Sequence, residues 1–588
     1  MRRSDEGVSR SLATEPMLRD RGSGSSELRA GAGLAGVPVP STWADVRLPY
    51  ALPACIGLAA AAAALVLYLT RRFGFFFDEW TLILFLPHFT VRDYFLPHNE
   101  HWSTIPYLIY RGWFALVGVR TVLPYMATLL TLHVMVGLEL FVLIRRRAGD
   151  LLALVAAALM LFLGQGFEDM IWPFQVAFVG AVAFGLLGLL LLDRPDARWT
   201  RLALASAVLV VSLMFSGVSL FFCAAVAVEL ALDPRRRRYL AVLVAPAVVY
   251  GAWYAVFGGQ GATSHRNPYT LSALLSLADY VPFGIGAAAA GLVALPVIWG
   301  QAALGVLAGI VGLRLGQLGR LEPRVAGAGV GLLAQFGLTG LVRAEFGASQ
   351  AASSRYVYIG VVFLLLGLTP LVRGLRWRRT WWPPLAAVLA VILVADCLAL
   401  RDMVHYRNGQ FDVQTAELRT VLAFQHAPGI QQDAAIDNDL VPGATVRLYL
   451  ETRDRLGSTV ADATVADLSG LNAQGVNQAV RDVMPLSFAA ATRAPAGLPC
   501  MTLEPAQRFT DLTVGSSGRL WVTSSVDGSF GVGLSLLGPA PAQPGLEVPV
   551  SAGVPVLVTL PDAGQPVSFR VRVQPPANSR ATVCGDWQ

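Results

Sequence analysis

Long apolar segments recur between residues 50 and 400, and clusters of arginine separate several of them. Hydrophobic residues make up 55% of the 588-residue chain and charged residues 14%, whereas soluble globular proteins carry about 25% charged residues. About 20 apolar residues cross a bilayer as a helix, because a helix satisfies its own backbone hydrogen bonds. The pattern therefore predicts a multi-pass, α-helical integral membrane protein.

The arginine clusters predict how these segments are oriented, because cytoplasmic loops are enriched in basic residues. The segment 202–232 has such clusters on both flanks, which predicts a hairpin of two short helices turning near Ser216 and Gly217. About eleven spans satisfy every cluster, with the N-terminus in the cytoplasm and the C-terminus outside. Besides the two helices of this hairpin, the predicted spans are about 50–70, 122–144, 151–164, 176–192, 239–257, 290–313, 325–341, 356–372 and 381–400.

Composition divides the chain into four predicted parts. Residues 1–47 are rich in Gly, Ser, Arg and acidic residues, which is typical of a disordered tail, here cytoplasmic. Residues 48–401 form the transmembrane region, and 402–499 an extracytoplasmic connecting region of mixed structure with a helix near 410–425. Residues 500–588 alternate polar and apolar side chains between Gly/Pro turns, which predicts an extracytoplasmic β-sandwich.

Two questions about the predicted sandwich remain open at this stage. It fits a packing domain and a glycan-binding module equally well, because its sequence contains no catalytic motif. Cys500 and Cys584 bracket it, and a disulfide between them is expected in an oxidising compartment.

The loop after the first span concentrates ionisable residues beside apolar segments. Its parts 81–96 and 103–118 mix aromatic and polar residues, which predicts amphipathic helices lying at the outer membrane interface. The acidic pair Asp78 and Glu79 begins the loop, inside the aromatic sequence Phe75–Trp80. An apolar surrounding raises the pKa of a carboxylate towards that of a useful general base. We therefore expect Asp78 or Glu79 to be catalytic.

Further polar residues are expected on the same outer side. Glu168 and Asp169 form a second acidic pair in the next external loop, which could bind a divalent cation with the first pair or position an acceptor. His98, Glu100 and His101 are side chains that metal sites use, but their spacing is not that of a metalloprotease. Metal binding, hydrogen bonding to an acceptor and a solvated loop are the alternatives, and a solvated loop is favoured.

Two arginines stand on the predicted outer side, where basic residues are uncommon. Arg343 and Arg355 lie in one external loop, and Arg355 precedes Tyr356 at the mouth of a span. The planar guanidinium fork suits a lipid phosphate. We therefore expect Arg355, with Tyr356 and Arg343, to bind phosphate. The net charge of +6 is explained by arginines between spans, so nucleic acid is not an expected partner.

Several of these features resemble the GT-C superfamily of membrane glycosyltransferases that use polyprenyl-phosphate sugars, such as actinobacterial arabinosyl- and mannosyltransferases. The resemblance covers about residues 50–400. It rests on Asp78 and Glu79 directly after the first span, the interfacial helices of the first loop, the hairpin VSLMFSGVSL (211–220) and SSRYVYI (353–359). It implies that Asp78 or Glu79 acts as the base or orients the acceptor, and that Arg355 binds the donor phosphate.

The leading hypothesis is an inverting glycosyltransferase of the cell membrane. It would move a sugar from a polyprenyl-phosphate donor to an envelope glycan, lipid or protein on the extracytoplasmic side. A transporter or flippase of lipid-linked sugars is the rival class, although transporters often contain internal repeats and none is evident here. A polymerase of envelope polysaccharide is the third reading. No cofactor is required by any of the three, and a divalent cation remains an open possibility.

Overall fold

The computed structural model of the protein describes residues 47–195, 197–260, 270–319, 321–372, 379–539 and 545–587. The predicted disordered tail therefore lies almost wholly outside the described residues. Most of the described chain is helical, and a β-sheet region follows at its C-terminal end. Within the described ranges, nine helices are long and apolar enough to cross a membrane.

The helical part begins with a helix that leads into the predicted first loop. The helices up to the predicted hairpin are α1 (Ala51–Leu69), α2 (Asp78–Phe85), α3 (Thr104–Leu116), α4 (Leu123–Ala148), α5 (Asp150–Leu161), α6 (Glu168–Ile171), α7 (Val176–Leu192), α8 (Trp199–Phe215) and α9 (Ser219–Leu232). The break between α8 and α9 lies at Ser216–Val218, as the arginines flanking this segment predict. The prediction of one helix for 81–96 is wrong, because α2 ends at Phe85 and a short hairpin follows.

The later helices depart from the sequence prediction in two places. They are α10 (Val244–Phe257), α11 (Leu271–Gly291), α12 (Gly300–Leu318), α13 (Pro323–Arg343), α14 (Ser354–Val372), α15 (Trp382–Ala423), α16 (Val446–Leu456) and α17 (Ala473–Val483). The predicted span 290–313 is interrupted, because Pro296 cannot continue a helix and disfavours helical backbone before it. Instead, α11 and α12 lie on either side of this break and approach each other at Gly286 and Gly300.

Helix α15 is the second departure. The sequence predicts a span ending near 400 and a separate helix at 410–425, but one helix of 42 residues covers both. A helix of this length extends roughly 60 Å, about twice the hydrocarbon thickness of a bilayer. Its second half therefore extends past the ends of the apolar helices. There, Phe411 contacts Phe73 and Phe76.

The remaining strands form a short hairpin and two stacked sheets. The hairpin pairs β1 (Pro97–His98) with β2 (His101–Trp102). The C-terminal strands are β3 (Ser487–Ala490), β4 (Cys500–Leu503), β5 (Thr510–Gly515), β6 (Arg519–Ser524), β7 (Gly528–Ser535), β8 (Leu546–Val550), β9 (Val556–Thr559), β10 (Ser568–Gln574) and β11 (Ala581–Gly585). Alternate residues such as Val514, Val571 and Val583 are buried between the sheets, as period-two patterning predicts.

The strand order identifies the kind of sandwich. One sheet has the order β5-β10-β7-β8 and the other β3-β9-β6-β11-β4, with all pairs antiparallel. Without β3 this is the eight-stranded arrangement of a jelly roll. The predicted disulfide is present, because Cys500 and Cys584 face each other in the register of β4 and β11 and are bonded.

The region between the apolar helices and the sheets packs against both. Asn477 of α17 hydrogen-bonds the backbone of Leu536 and Leu537 beyond β7. Tyr449 of α16 packs edge-on against Trp80 of α2, with ring centroids 6.1 Å apart. The end of the helical region that carries Asp78 and Glu79 is therefore the end nearest to the C-terminal region.

Candidate functional site

Asp78 and Glu79 occupy the first turn of α2. The backbone of Phe77, just before the helix, has φ +48°, a left-handed conformation that is unusual for a large aromatic residue. Carboxylates are favoured in a first helical turn, because the peptide dipoles give that end a partial positive charge. Successive helical residues point in different directions, and the two carboxylates consequently occupy different surroundings.

Glu79 is fully buried and held by two donors. The hydroxyl of Tyr110 donates to its Oε1 at 2.7 Å, and the backbone N–H of Phe76 donates to its Oε2 at 3.0 Å. Burial raises the pKa of Glu79 to about 8, although both hydrogen bonds oppose the shift. Glu79 is therefore mainly protonated at neutral pH, and it is poorly suited to accept a proton there.

Asp78 faces a different part of the loop and retains some contact with solvent. Its side chain is 21% exposed, and its Oδ2 lies 3.8 Å from Nε2 of His98. The ring of His98 in turn packs against Phe174, with centroids 4.9 Å apart. The structure thus separates the acidic pair, so that Asp78 is the member available to a substrate.

The segment His98–His101 forms the hairpin of β1 and β2 and is partly exposed, so its interpretation as a solvated loop stays a prediction. Asn99 at the turn has φ +51°, which asparagine tolerates better than most residues. Glu100 and Arg343 form an ion pair of 2.6 Å between the hairpin and the end of α13. Trp102 stacks on Trp253 of α10 at 5.2 Å. The hairpin thus contacts several helices of the site.

His101 connects this hairpin to the break between α8 and α9. Its ring packs edge-on against Phe178, and a side chain added at Gly217 would lie 3.2 Å from its Nδ1. Burial and the charge of Arg343 lower the pKa of His101 to about 4, although the charge of Glu100 opposes the shift. His101 is therefore neutral at pH 7, when its two ring nitrogens are one donor and one acceptor.

The second acidic pair lies on α6. Asp169 is fully buried, and neither of its carboxylate oxygens has a hydrogen-bond partner among the described residues. Burial and neighbouring Glu168 raise its pKa well above the usual range, against the attraction of Arg355. The backbone N–H of Glu168 donates to Oγ of Ser354 at 3.0 Å. This bond joins α6 to the first residue of α14.

Arg355, the next residue, is the cation of the site. Its guanidinium interacts electrostatically with Glu168, Asp169 and Asp78, and its Nε is buried with no hydrogen-bond partner in the part of the chain that the structure describes. Tyr356 is buried beside it, with the guanidinium carbon 5.6 Å from the ring centroid. The sequence-predicted residues of three separate loops and the hairpin therefore converge around Arg355.

Two residues without a sequence signal also belong to the site. Tyr110 holds Glu79, and Arg407 of α15 lies 4.0 Å above the ring of Phe76. Arg407 falls beyond the predicted last span, and only the continuity of α15 places it here. A narrow groove lies between these elements. It is lined by Phe73, Gly74, Phe76, Glu79, Phe167, Glu168, Ile171, Trp172, Pro173, Arg407 and Phe411.

Metal binding received no geometric support, and the comparisons added no family. The described residues contain no group of three or more His, Cys, Asp and Glu side chains that could hold a metal ion. Comparison of the chain with protein-family models, with curated proteins and with solved structures gave no significant match.

Proposed function

We propose that the protein is an inverting membrane glycosyltransferase that uses a polyprenyl-phosphate sugar. The observation that carries the proposal is the electrostatic interaction of Asp78 with Arg355, beside Glu168 and the buried Asp169 on α6. A carboxylate and a guanidinium that interact match the two needs of this reaction, a base for the acceptor and a cation for the leaving phosphate. The GT-C resemblance implies Asp78 or Glu79 for the first role and Arg355 for the second.

The proposed reaction is a single displacement. Asp78 accepts the proton of an acceptor hydroxyl, and the oxygen attacks the anomeric carbon of the donor sugar. The new glycosidic C–O bond forms as the bond from that carbon to the phosphate oxygen breaks. The electron pair of the broken bond leaves with the phosphate, whose charge Arg355 stabilises. Attack from the opposite face inverts the anomeric carbon.

Glu79 is not the base in this proposal. Both of its oxygens accept hydrogen bonds from the protein, and its raised pKa keeps it mainly protonated at pH 7. We assign it the structural role of fixing the first turn of α2, which orients Asp78. Glu168 and Asp169 interact electrostatically with the guanidinium of Arg355.

The direction of the reaction relative to the membrane follows from charge. We call the surroundings of Asp78 and Arg355 the Asp78 site. Arg146, Arg147 and Arg324 lie at the helix ends opposite this site. Basic clusters favour the cytoplasmic side. We infer that the Asp78 site and the C-terminal region are extracytoplasmic and that the protein acts in the cell membrane. The acceptor is then an envelope glycan, lipid or protein.

The variant Asp78→Asn tests the proposed base. Purified protein in liposomes is given radiolabelled polyprenyl-phosphate pentoses and hexoses together with extracted envelope acceptor. We expect wild-type protein to transfer label, and Asp78→Asn to lose about 100-fold or more in rate, as is typical for removal of a general base. Arg355→Gln is expected to lose activity likewise. Asp93→Asn is the matched control, because Asp93 is an exposed loop residue of the same segment.

Transfer at the wild-type rate by folded Asp78→Asn protein would contradict the assignment of the base. Movement of labelled donor across the liposome bilayer without any transfer would instead favour the transporter. Label that accumulates in chains of increasing length would identify a polymerase, which retains the proposed chemistry.

A further inference from the structure

A second charged cluster lies at the end of the helical region away from the Asp78 site. Arg343, near that site, and Arg324 mark the two ends of α13, which are roughly 28 Å apart for a helix of this length. This separation is close to the hydrocarbon thickness of a bilayer, about 30 Å. The Arg324 end therefore lies near the opposite headgroup layer when the Asp78 site lies near the first.

Buried ion pairs connect four helices at this end. Arg324 of α13 contacts Asp193 beyond α7 at 3.2 Å and Glu229 of α9 at 2.5 Å. Arg236 contacts Glu229 at 3.0 Å, and Arg147 of α4 pairs with Asp193. The side chains of Arg324 and Glu229 are only 4% and 3% exposed. These pairs fix the helix ends into one rigid unit.

The cluster contains more positive than negative charge. Among the described residues, Arg146, Arg147, Arg236 and Arg324 share only the carboxylates of Asp193, Glu229 and Asp233. Arg194 adds a further guanidinium and has no ion-pair partner within the described ranges. Nη1 of Arg147 is buried and makes no hydrogen bond in the same part of the chain. An anion would balance this excess.

An open cleft gives an anion access to the excess charge. Arg146, Arg147, Asp193 and Arg194 line it, and its volume is about 740 Å³ including its wide mouth. Trp199, at the start of α8, is 83% exposed nearby in sequence, and exposed tryptophans at helix ends are typical of the headgroup layer. Arginine pockets between helices on the cytoplasmic side bind the headgroups of anionic lipids.

We propose that the cleft of Arg146, Arg147 and Arg194 binds the phosphate of an anionic lipid headgroup. The guanidinium of Arg194 contacts the phosphate from the solvent side, and those of Arg146 and Arg147 contact it from the helix ends. Guanidinium and phosphate groups match in geometry, because two parallel N–H groups can donate to two oxygens. The site is independent of the glycosyltransferase proposal and uses none of its residues.

Binding of short-chain phosphatidylglycerol to the full-length protein in a neutral detergent tests the site. We expect saturable binding, measured by native mass spectrometry and by a rise in the thermal unfolding midpoint. Arg194→Gln should weaken the affinity about fivefold, and Arg146→Gln with Arg194→Gln about 25-fold. Arg235→Gln is the control, because Arg235 is an exposed arginine of the same end that does not line the cleft.

Three other outcomes would each overturn the proposal or a part of it. Equal loss of affinity in Arg235→Gln would show a diffuse charge effect and overturn the site. Equal binding of short-chain phosphatidylcholine would overturn the requirement for an anionic lipid. Saturable binding of inorganic phosphate without binding of phosphatidylglycerol would overturn the lipid in favour of free phosphate. Arg194→Gln keeps the buried ion pairs intact, so a folded variant remains available for each measurement.

Discussion

At the scale of single residues, two adjacent carboxylates have opposite environments. Glu79 is buried and accepts hydrogen bonds from Tyr110 and Phe76. Asp78 instead lies beside His98 and interacts electrostatically with Arg355. The sequence predicts the pair but not the division between its members, because both residues belong to the same short acidic motif. The direction of each side chain depends on where α2 packs. That packing is set by distant residues such as Tyr449.

The raised pKa of Glu79 predicts a pH dependence of stability. Its pKa is about 8 in the folded protein against an ordinary value of 4.5, so the folded state binds more protons between these values. Stability from neutral Glu79 is fully present below about pH 4.5 and is lost as pH rises through 8. The free energy of unfolding therefore falls by about 2 kcal/mol between pH 6 and pH 8. We expect Glu79→Gln to remove this loss.

Thermal unfolding of detergent-solubilised protein at a series of pH values measures the effect. The Gln amide can accept from the Phe76 N–H and donate to the Tyr110 hydroxyl, so the variant is expected to fold. Glu451→Gln is the control, because Glu451 is exposed on α16, and it should keep the wild-type pH dependence. A Glu79→Gln profile as steep as that of the wild type would disprove the assignment.

At the scale of elements, the site depends on short connections that approach one another closely. The loop before α6 packs against α15, where Oδ1 of Asp396 accepts the backbone N–H of Gly164 at 2.9 Å. The hairpin of β1 and β2 is held by His98, Glu100 and Trp102. Helical periodicity identifies the long helices, but it carries no information about such two-residue turns. Their positions depend on contacts across the helical region.

Gly164 provides a sharp test of this packing. A Cβ at this position would lie 2.1 Å from the backbone oxygen of Asp396. The substitution would therefore require the backbone of the loop or of α15 to move. We expect Gly164→Ala to destabilise the protein by about 1–3 kcal/mol and to displace the loop that carries Glu168 and Asp169. Thermal unfolding and glycosyl transfer measure the two effects.

Gly305→Ala is the matched control for that substitution. Gly305 lies in α12 and has open space around it, and alanine favours a helix more than glycine does. The control should therefore be at least as stable as the wild type. Equal stability of Gly164→Ala and Gly305→Ala would refute the close approach of the loop to α15.

At the scale of the whole molecule, α15 joins the apolar helices to the C-terminal region without a break. Its second half brings Arg407 and Phe411 beside Glu79 and Glu168, and α16 packs on α2. The C-terminal region therefore contacts the helix that carries the proposed base. A role in holding α2 fits these contacts.

The Cys500–Cys584 disulfide predicts where the C-terminal region is most vulnerable. It closes a loop with a sequence separation of 84, and a native disulfide of this kind contributes about 2–4 kcal/mol, mainly by constraining the unfolded chain. We expect Cys500→Ala with Cys584→Ala to make residues 500–587 more sensitive to protease, while the long apolar helices stay resistant. Fragment mapping after limited proteolysis measures this.

Cys397→Ala serves as the control, because Cys397 is a free cysteine of α15. It should give the same proteolysis pattern as the wild type, both without and with reductant. Wild-type protein treated with reductant should resemble the double variant. An unchanged pattern in the reduced wild type and the double variant would show that the sheets are stable without the disulfide.

The sequence alone determined the features that depend on neighbouring residues. Apolar length predicted most of the membrane-length helices but not α11, arginines on both flanks predicted the α8–α9 break, and period-two patterning predicted the sheets. Only the tertiary structure decided that Asp78 rather than Glu79 faces Arg355, that the His98–His101 hairpin is packed among helices, and that Arg407 joins the site. The physical reason is that burial and charge at each of these residues are set by partners far away in the chain. Such partners leave no periodic signal in the sequence.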